Sequence, residues 1–286
     1  MRFKKHDIIT LPSNDKIEIL DLLGVGGQGE VYLVSYKGGE YALKVYIDDV
    51  SSDFRYNLRN NIDKGSPSSN FLWPKMLIDF DDNHCGYLMD LRPKNYASFV
   101  SYLNGNVLFK DTYTLINWCI ELCKSFKQLH EKGYSYQDLN DGNFFINPDN
   151  GEVLICDNDN VAPYGENVGV DGKSRYMAPE IVMGKSRPNV LTDRFSLAVV
   201  LFMHFFRGHP LEGAKTCSYC CLTEQIEKEL FGENPVFCFD PDNHSNKPVK
   251  GIHNNVIVLW ETYPKFFRDA FTKVFTKGIK DREERL

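Results

Sequence analysis

Three side chains near the middle of the chain have the types and spacing for phosphate chemistry. Residues 134–147 read YSYQDLNDGNFFIN, which sets a carboxylate at Asp138 and an amide at Asn143 between apolar neighbours. A second carboxylate, Asp157, follows in LICDND after a short turn. Phosphoryl transfer from a nucleotide needs such a set. One carboxylate receives or orients the acceptor hydroxyl, while an amide and another carboxylate hold magnesium ions. Taken alone, Asp157 reads equally well as a turn aspartate after a strand.

The elements that must position these groups follow from periodicity. Residues 1–16 are a polar lead-in. A strand is predicted over 17–23, and GVGGQG breaks it at Gly24, Gly26, Gly27 and Gly29. Strands follow over 31–36 and 41–46, with Gly38-Gly39 as the hairpin turn. A glycine-rich turn between antiparallel strands lets backbone N–H groups approach phosphate oxygens with no Cβ in the way. The spacing G-x-G-x-x-G-x-V ends at Val31, and a strand rather than a helix follows, which disfavours a dinucleotide-binding fold. A plain glycine-rich hairpin is the bland alternative. Lys44 lies within the apolar strand that holds Ala42, where a lysine either snorkels outward or meets an anion.

Further along, Phe54, Leu58 and Ile62 share one helical face. Strands are predicted over 72–80 and 86–91, joined by the polar turn Asp81-Asp82-Asn83. Beyond them the period changes: Leu115, Cys119, Leu122, Phe126 and Leu129 recur at helical spacing, in a helix ending near Gly133. Residues 195–206 read as a buried helix, and helices are also predicted around 223–230 and 263–275. Strands therefore come first and helices afterwards, dividing near residue 92.

Taken together, D-x-x-x-x-N from Asp138 to Asn143, the later Asp157, the glycine stretch and A-L-K at 42–44 resemble eukaryotic-like protein kinases. The sequence YMAPE at 176–180 is among the most specific signatures of that family, and RGHPLEG from Arg207 resembles one of its short loops. The resemblance covers roughly residues 17–286. It implies an α+β, bilobal fold, with a small antiparallel-sheet N-lobe over 1–91 and a mainly helical C-lobe over 92–286. It implies ATP and Mg2+ as cofactors and Ser/Thr hydroxyls of a protein as acceptors. Asp138 would orient the hydroxyl, Lys44 and the glycine loop would place the phosphates, and Asn143 and Asp157 would hold the metal. Met89 would guard the back of the nucleotide pocket, with Asp90 and Leu91 on the hinge beside the adenine. Glu180 would pair with Arg282 or Arg285, and Asp193 would brace the catalytic-loop backbone.

Several positions depart from the family pattern. The resemblance calls for a glutamate partner for Lys44 on the next helix, yet no glutamate occurs between Glu40 and Glu121; Asp53 and Asp63 flank that helix. Tyr136-Gln137 precede the catalytic acid in place of His-Arg, so ordering of the activation segment by phosphate pairing is not expected. Asn140 stands where a lysine contacts the γ-phosphate, and Lys173 is the candidate to supply the missing charge. Asn158 and Asp159 replace the Phe-Gly that usually follows Asp157, and a metal contact from Asp159 stays open. The YQD and DND variants look like bacterial eukaryotic-like kinases, some of which are encoded beside a PP2C-type phosphatase.

Composition bounds the alternatives. The chain has 286 residues, 42% hydrophobic and 25% charged, with a net charge of -6. That charge argues against nucleic acid or an anionic membrane as partner. No apolar h-region follows MRFKKHDIIT, and no run is long enough to span a bilayer, so a cytoplasmic protein is expected. The eight cysteines form no secreted disulfide framework. Cys217, Cys220 and Cys221, with Cys238, His209 and His244 nearby in sequence, leave a zinc site open, though reduced structural cysteines are preferred. Two rival functions remain: a pseudokinase or nucleotide-binding scaffold, motivated by the missing glutamate and Asn140, and a small-molecule kinase with the same Asp-to-Asn chemistry.

Overall fold

A computed structural model describes residues 2–81, 83–166 and 172–285. Asp82 of the expected turn, residues 167–171 of the expected activation segment, and the terminal residues 1 and 286 lie outside the described residues. The chain divides into two compact units: Met1–Ala97, Phe109–Leu129 and Phe144–Val161 form the first, and Ser98–Leu108, His130–Asn143 and Ala162–Leu286 the second.

The first unit is built on a six-stranded antiparallel sheet. Its strands are β1 (Ile8–Thr10), β2 (Lys16–Val25), β3 (Gly29–Tyr36), β4 (Gly39–Tyr46), β5 (Met76–Asp79) and β6 (Cys85–Asp90), in the order β1-β2-β3-β4-β6-β5. Alternation along β2, β3 and β4 turns Ile17, Ile19, Tyr32, Val34, Leu43 and Val45 into one cluster with Ile78 and Leu88. The register pairs Val31 with Lys44 and Ala42 with Met89, so the predicted phosphate and pocket positions sit on adjacent strands.

The hairpin turns on Lys37 and Gly38, both left-handed at φ 49° and 80°, rather than on Gly38-Gly39; Gly39 already belongs to β4. A two-residue turn with positive φ at both centres matches the twist of the flanking strands. β1 corrects the expectation of a wholly polar lead-in: Ile8, Ile9 and Thr10 pair with β2. The strand expected over 72–80 is confined to β5, because residues 71–72 bond to another segment instead. Leu72 N donates to Ile155 O at 2.8 Å.

The helix Ser52–Lys64 starts where Ser51 Oγ accepts from Phe54 N (3.2 Å) and stops at Gly65, whose φ of 73° ends it. Phe54 and Leu58 are buried, as its pattern predicts, and so are Asn57 and Asn61. Within the same unit, Phe144–Ile146 pairs antiparallel with Val153–Ile155. Trp118 and Phe126 of the helix Thr112–Glu131 pack on Phe144.

The second unit is mainly helical around Val190–Phe206. Its start is a capping box between Asn189 and Thr192, and it is apolar nearly all round, as a core helix must be. Phe202 meets Phe237, Trp260, Phe271 and Phe275 at ring centroid distances of 5.5–6.1 Å. Helices Asn254–Thr262 and Lys265–Phe275 supply three of those rings; the first has no counterpart in the sequence reading. Among the described residues, no helix is long and apolar enough to cross a membrane. The α+β architecture expected from the sequence is the one observed.

Candidate active site

Lys44 is the charged centre of the first unit. It is 4% exposed, and its Nζ lies 2.8 Å from Asp159 Oδ2 and 3.4 Å from Asp157 Oδ1. Burial works against the ammonium, but the Asp159 and Asp157 carboxylates outweigh it and hold the Lys44 pKa above the ordinary lysine value. The partner of Lys44 therefore comes from residues 157–159 and not from the helix Ser52–Lys64. On that helix Asp53 and Asp63 are exposed, while Asn57 and Asn61 both donate to the Val161 carbonyl, at 2.8 and 2.7 Å.

The segment after Val153–Ile155 is locked by amides rather than by an apolar anchor. Asn158 is fully buried and donates to both Leu72 O and Ile155 O at 2.9 Å. Asp157 precedes it with a left-handed φ of 54°, and its side chain makes no cap bond to the turn that follows. The Asp157 side chain is 42% exposed, whereas Asp159 is fully buried and accepts from Tyr46 as well as Lys44. Burial first, and then the Asp159 charge, push the Tyr46 phenol well above its ordinary pKa, so it remains a donor. Asp159 thus has a carboxylate engaged by an ammonium and a phenol.

The glycine stretch joins β2 to β3, with Gly26 N donating to Gly29 O at 2.8 Å. Gly24, Gly26 and Gly27 have no backbone neighbour that a Cβ would strike, and none has a positive φ. Gly29 differs: a Cβ there would collide with the Val45 carbonyl. Gly86 is the equivalent on β6, where a Cβ would strike the Lys44 carbonyl. Sequence reading missed it because a single glycine in a strand signals close approach without saying to what. Ala42 and Met89 are buried, Val31 and Leu91 are half-buried, and Asp90 is exposed in an ion pair with Lys75 at 2.5 Å.

In the second unit, the loop around Asp138 is tied by its own amides. Asn143 Nδ2 donates to Asp138 O at 2.7 Å, and Asn140 Nδ2 donates to Asp138 Oδ1 at 3.0 Å. Gln137 takes a left-handed φ of 70° before the acid. Asp193 Oδ2 accepts from Tyr136 N at 2.8 Å and faces His130 Nε2 at 3.0 Å, which is the bracing contact the resemblance implied. Lys173 reaches the loop as well: its Nζ donates to Asn140 Oδ1 at 3.0 Å and lies 3.7 Å from Asp141.

Asn140 therefore links the Lys173 ammonium to the Asp138 carboxylate. Lys173 is 60% exposed on its side chain, so solvent screening limits what its charge can do. Lys173→Ala is expected to lower phosphotransfer only about two- to fivefold, with the difference shrinking as salt rises. A rate equal to the parent's at low salt would rule this out.

Glu180 pairs with Arg285 through two bonds of 2.6 and 2.9 Å, with Arg282 Nε at 3.5 Å. His209, a zinc candidate by sequence, instead accepts from Leu211 N on Nδ1 (3.2 Å) and donates from Nε2 to Arg175 O (2.7 Å). Burial lowers its pKa to about 4, so it is neutral at pH 7. Cys217, Cys220 and Cys221 are exposed thiols rather than buried structural ones, and Cys85, Cys119 and Cys238 are buried. Among the described residues, no three His, Cys, Asp or Glu side chains are grouped to hold a metal ion.

The donor set fits a nucleotide with a hard cation. Asn143 spends its Nδ2 on Asp138 O, which leaves its Oδ1 available as an oxygen donor in the second unit, and in the first unit Asp157 offers a half-exposed carboxylate. Oxygen donors of this kind suit magnesium. Lys44 and Asp157 belong to the first unit, and Asp138, Asn140, Asn143 and Lys173 to the second.

Comparison with known proteins agrees with this chemistry. Residues 17–256 match the family model described as protein kinase domain. The chain is 27% identical over 209 residues to the serine/threonine-protein kinase AtPK2/AtPK19 of Arabidopsis thaliana, covering 70% of this chain and 43% of that protein. It is 25% identical over 283 residues to a probable LIM domain-containing serine/threonine-protein kinase of Dictyostelium discoideum, covering 92% and 39%. A third relative, the MAP kinase kinase MKK1/SSP32 of Saccharomyces cerevisiae, is 28% identical over 65% of this chain and 38% of its own length. The chain thus spans less than half the length of these relatives. With the family model matched over most of its residues, this chain belongs to the protein kinase domain family.

Proposed function

We propose that the chain is a serine/threonine protein kinase that uses ATP and Mg2+ and takes a protein substrate. The observation that carries the reading is the Asp138 loop: Asn140 donates to the Asp138 carboxylate at 3.0 Å and Asn143 to the backbone carbonyl of the same residue at 2.7 Å. In this reading Asp138 orients the acceptor hydroxyl and takes its proton at Oδ. Lys44 steadies the α- and β-phosphates, and backbone N–H groups of the loop from Gly24 to Gly29 cradle them below Val31. Asn143 Oδ1 and the Asp157 carboxylate hold the metal, which when bound neutralises charge on the transferring phosphoryl group. Ala42 and Met89 line the base site, and the backbone at Asp90 and Leu91 meets the adenine.

The printed names of the relatives support Ser/Thr over other acceptors. Cysteine usage without a disulfide framework supports a cytoplasmic setting. The bacterial affiliation of the YQD and DND variants, and with it a PP2C-type phosphatase partner, rests on those motifs.

Intact-protein mass spectrometry after incubation with ATP and Mg2+, with and without a generic Ser/Thr peptide mixture, tests the reading. Phosphate on the chain or on peptides is the expected result. Nucleotide binding with no phosphate on either would favour the scaffold reading, which the Asn140 substitution motivates.

A further inference from the structure

The geometry points to Asp159 as the positioning residue for Lys44: it takes over the ion pair that the family resemblance assigns to a helix glutamate, and leaves Asp157 free for the metal. The inference rests on the phosphate role proposed for Lys44. Two carboxylates face that ammonium, and distance and burial separate their roles. Asp159 is 2.8 Å away with a fully buried side chain, and Asp157 is 3.4 Å away with 42% exposure. A contact shielded from water keeps its Coulomb attraction, whereas a half-exposed one is screened.

Asp159 is also the better-anchored of the two. Its Oδ2 accepts from Tyr46, and Tyr87 Oη lies 3.4 Å from Oδ1. A fully buried carboxylate without a cation would be strongly destabilising, so Asp159 and Lys44 each depend on the other. The aromatic rings of Tyr46 and Tyr87 flank the ammonium, with centroids 5.4 and 5.9 Å from Nζ. They favour its charge, and Gln28 Oε1 lies 3.5 Å from Nζ as a further acceptor.

The helix Ser52–Lys64 has no acid directed at Lys44, and its buried amides Asn57 and Asn61 are committed to Val161 O. Orientation of Lys44 therefore follows residues 157–159. A single stretch of three residues supplies both the counterion of the phosphate lysine and the proposed metal ligand.

The test is an unfolding cycle that needs no nucleotide, run in urea on the full chain with Lys44→Met, Asp159→Asn, the double variant and Asp157→Asn. Asp159→Asn strands a buried ammonium and is expected to raise the unfolding constant about 10²- to 10³-fold. Adding Lys44→Met should recover most of that loss, and Asp157→Asn should change the constant less than about fivefold. In phosphotransfer assays, Asp159→Asn is expected to raise the KM for ATP about tenfold with a smaller change in kcat, because Lys44 holds phosphates before and during the reaction. A merely loosened fold would not produce that split.

Asp159→Asn as stable as the parent, or a loss that Lys44→Met fails to recover, would overturn the assignment. A parent with no phosphotransfer at all would overturn the kinase reading instead, and the unfolding cycle would still decide for or against the pair.

Discussion

Asp138→Asn is expected to lower phosphotransfer about 10²- to 10⁴-fold, the range for removing a positioned general base, while leaving nucleotide affinity and unfolding nearly unchanged. The substitution keeps the shape of the side chain. An asparagine carbonyl at this position still accepts from Asn140 Nδ2, which sits 3.0 Å from Asp138 Oδ1. Asn143 Nδ2 is bonded to the backbone carbonyl of residue 138, at 2.7 Å, and is indifferent to the side chain. Asp193 holds the preceding backbone through Tyr136 N. What changes is the negative charge and the ability to receive a proton from the acceptor hydroxyl. Single-turnover rates and fluorescent-nucleotide affinity, measured on the same preparations, separate the two effects. A variant that keeps more than a tenth of the parent rate would mean that Asp138 is not the base.

The candidate site residues could be proposed from the sequence because phosphoryl transfer requires particular groups at particular spacings. Asp138, Asn143, Lys44 and Asp157 were proposed from type and order together with the family resemblance, and the sheet strands followed from alternation. What stayed hidden were contacts between residues far apart in the chain. Lys44 and Asp159 are separated by 115 positions, and nothing in DNDN distinguishes a buried counterion from a solvated turn. The same holds for Asn158: an amide in the place of an apolar anchor reads as a turn residue, yet it bonds Leu72 and Ile155 from full burial. The zinc question stayed open for the opposite reason. Cysteine spacing is visible in a sequence, but side-chain direction is not, and His209 is committed to the Arg175 carbonyl. β1 escaped notice because three residues carry too little periodicity to register.

Arg285→Met is expected to destabilise the chain by about 3–5 kcal/mol, the cost of leaving a buried charge without its partner. Arg285 is 1% exposed, and the Glu180 side chain only 10%. The two meet through bonds of 2.6 and 2.9 Å, a fork geometry that only arginine supplies. Methionine keeps an apolar stem beside Phe195, whose ring lies 5.1 Å from the guanidinium carbon, and loses the charge together with the bonds to the Gly278 and Leu191 carbonyls. Arg282, at 3.5 Å and 42% exposed, compensates in part and favours the lower end of the range.

The pH dependence gives a second handle on the same pair. Burial alone would raise the Glu180 pKa, but the Arg285 bonds and charge more than reverse it, and the net shift is downward. A lowered carboxylate stabilises the fold above its unfolded pKa and loses that contribution as pH falls through the folded one. Without Arg285, burial is opposed only by Arg282 and a backbone bond, and Glu180 takes up a proton more readily. The gap between parent and variant should therefore begin to narrow above the ordinary glutamate pKa, where the variant's Glu180 takes up its proton, and go on narrowing until the parent's lowered pKa is passed. Glu180→Gln in the Arg285→Met background should recover part of the stability at pH 7. Urea denaturation of the parent and both variants across that range measures this. A gap that stays constant with pH would show that Arg285 acts through its bond to the Gly278 carbonyl, at 2.6 Å, rather than through Glu180.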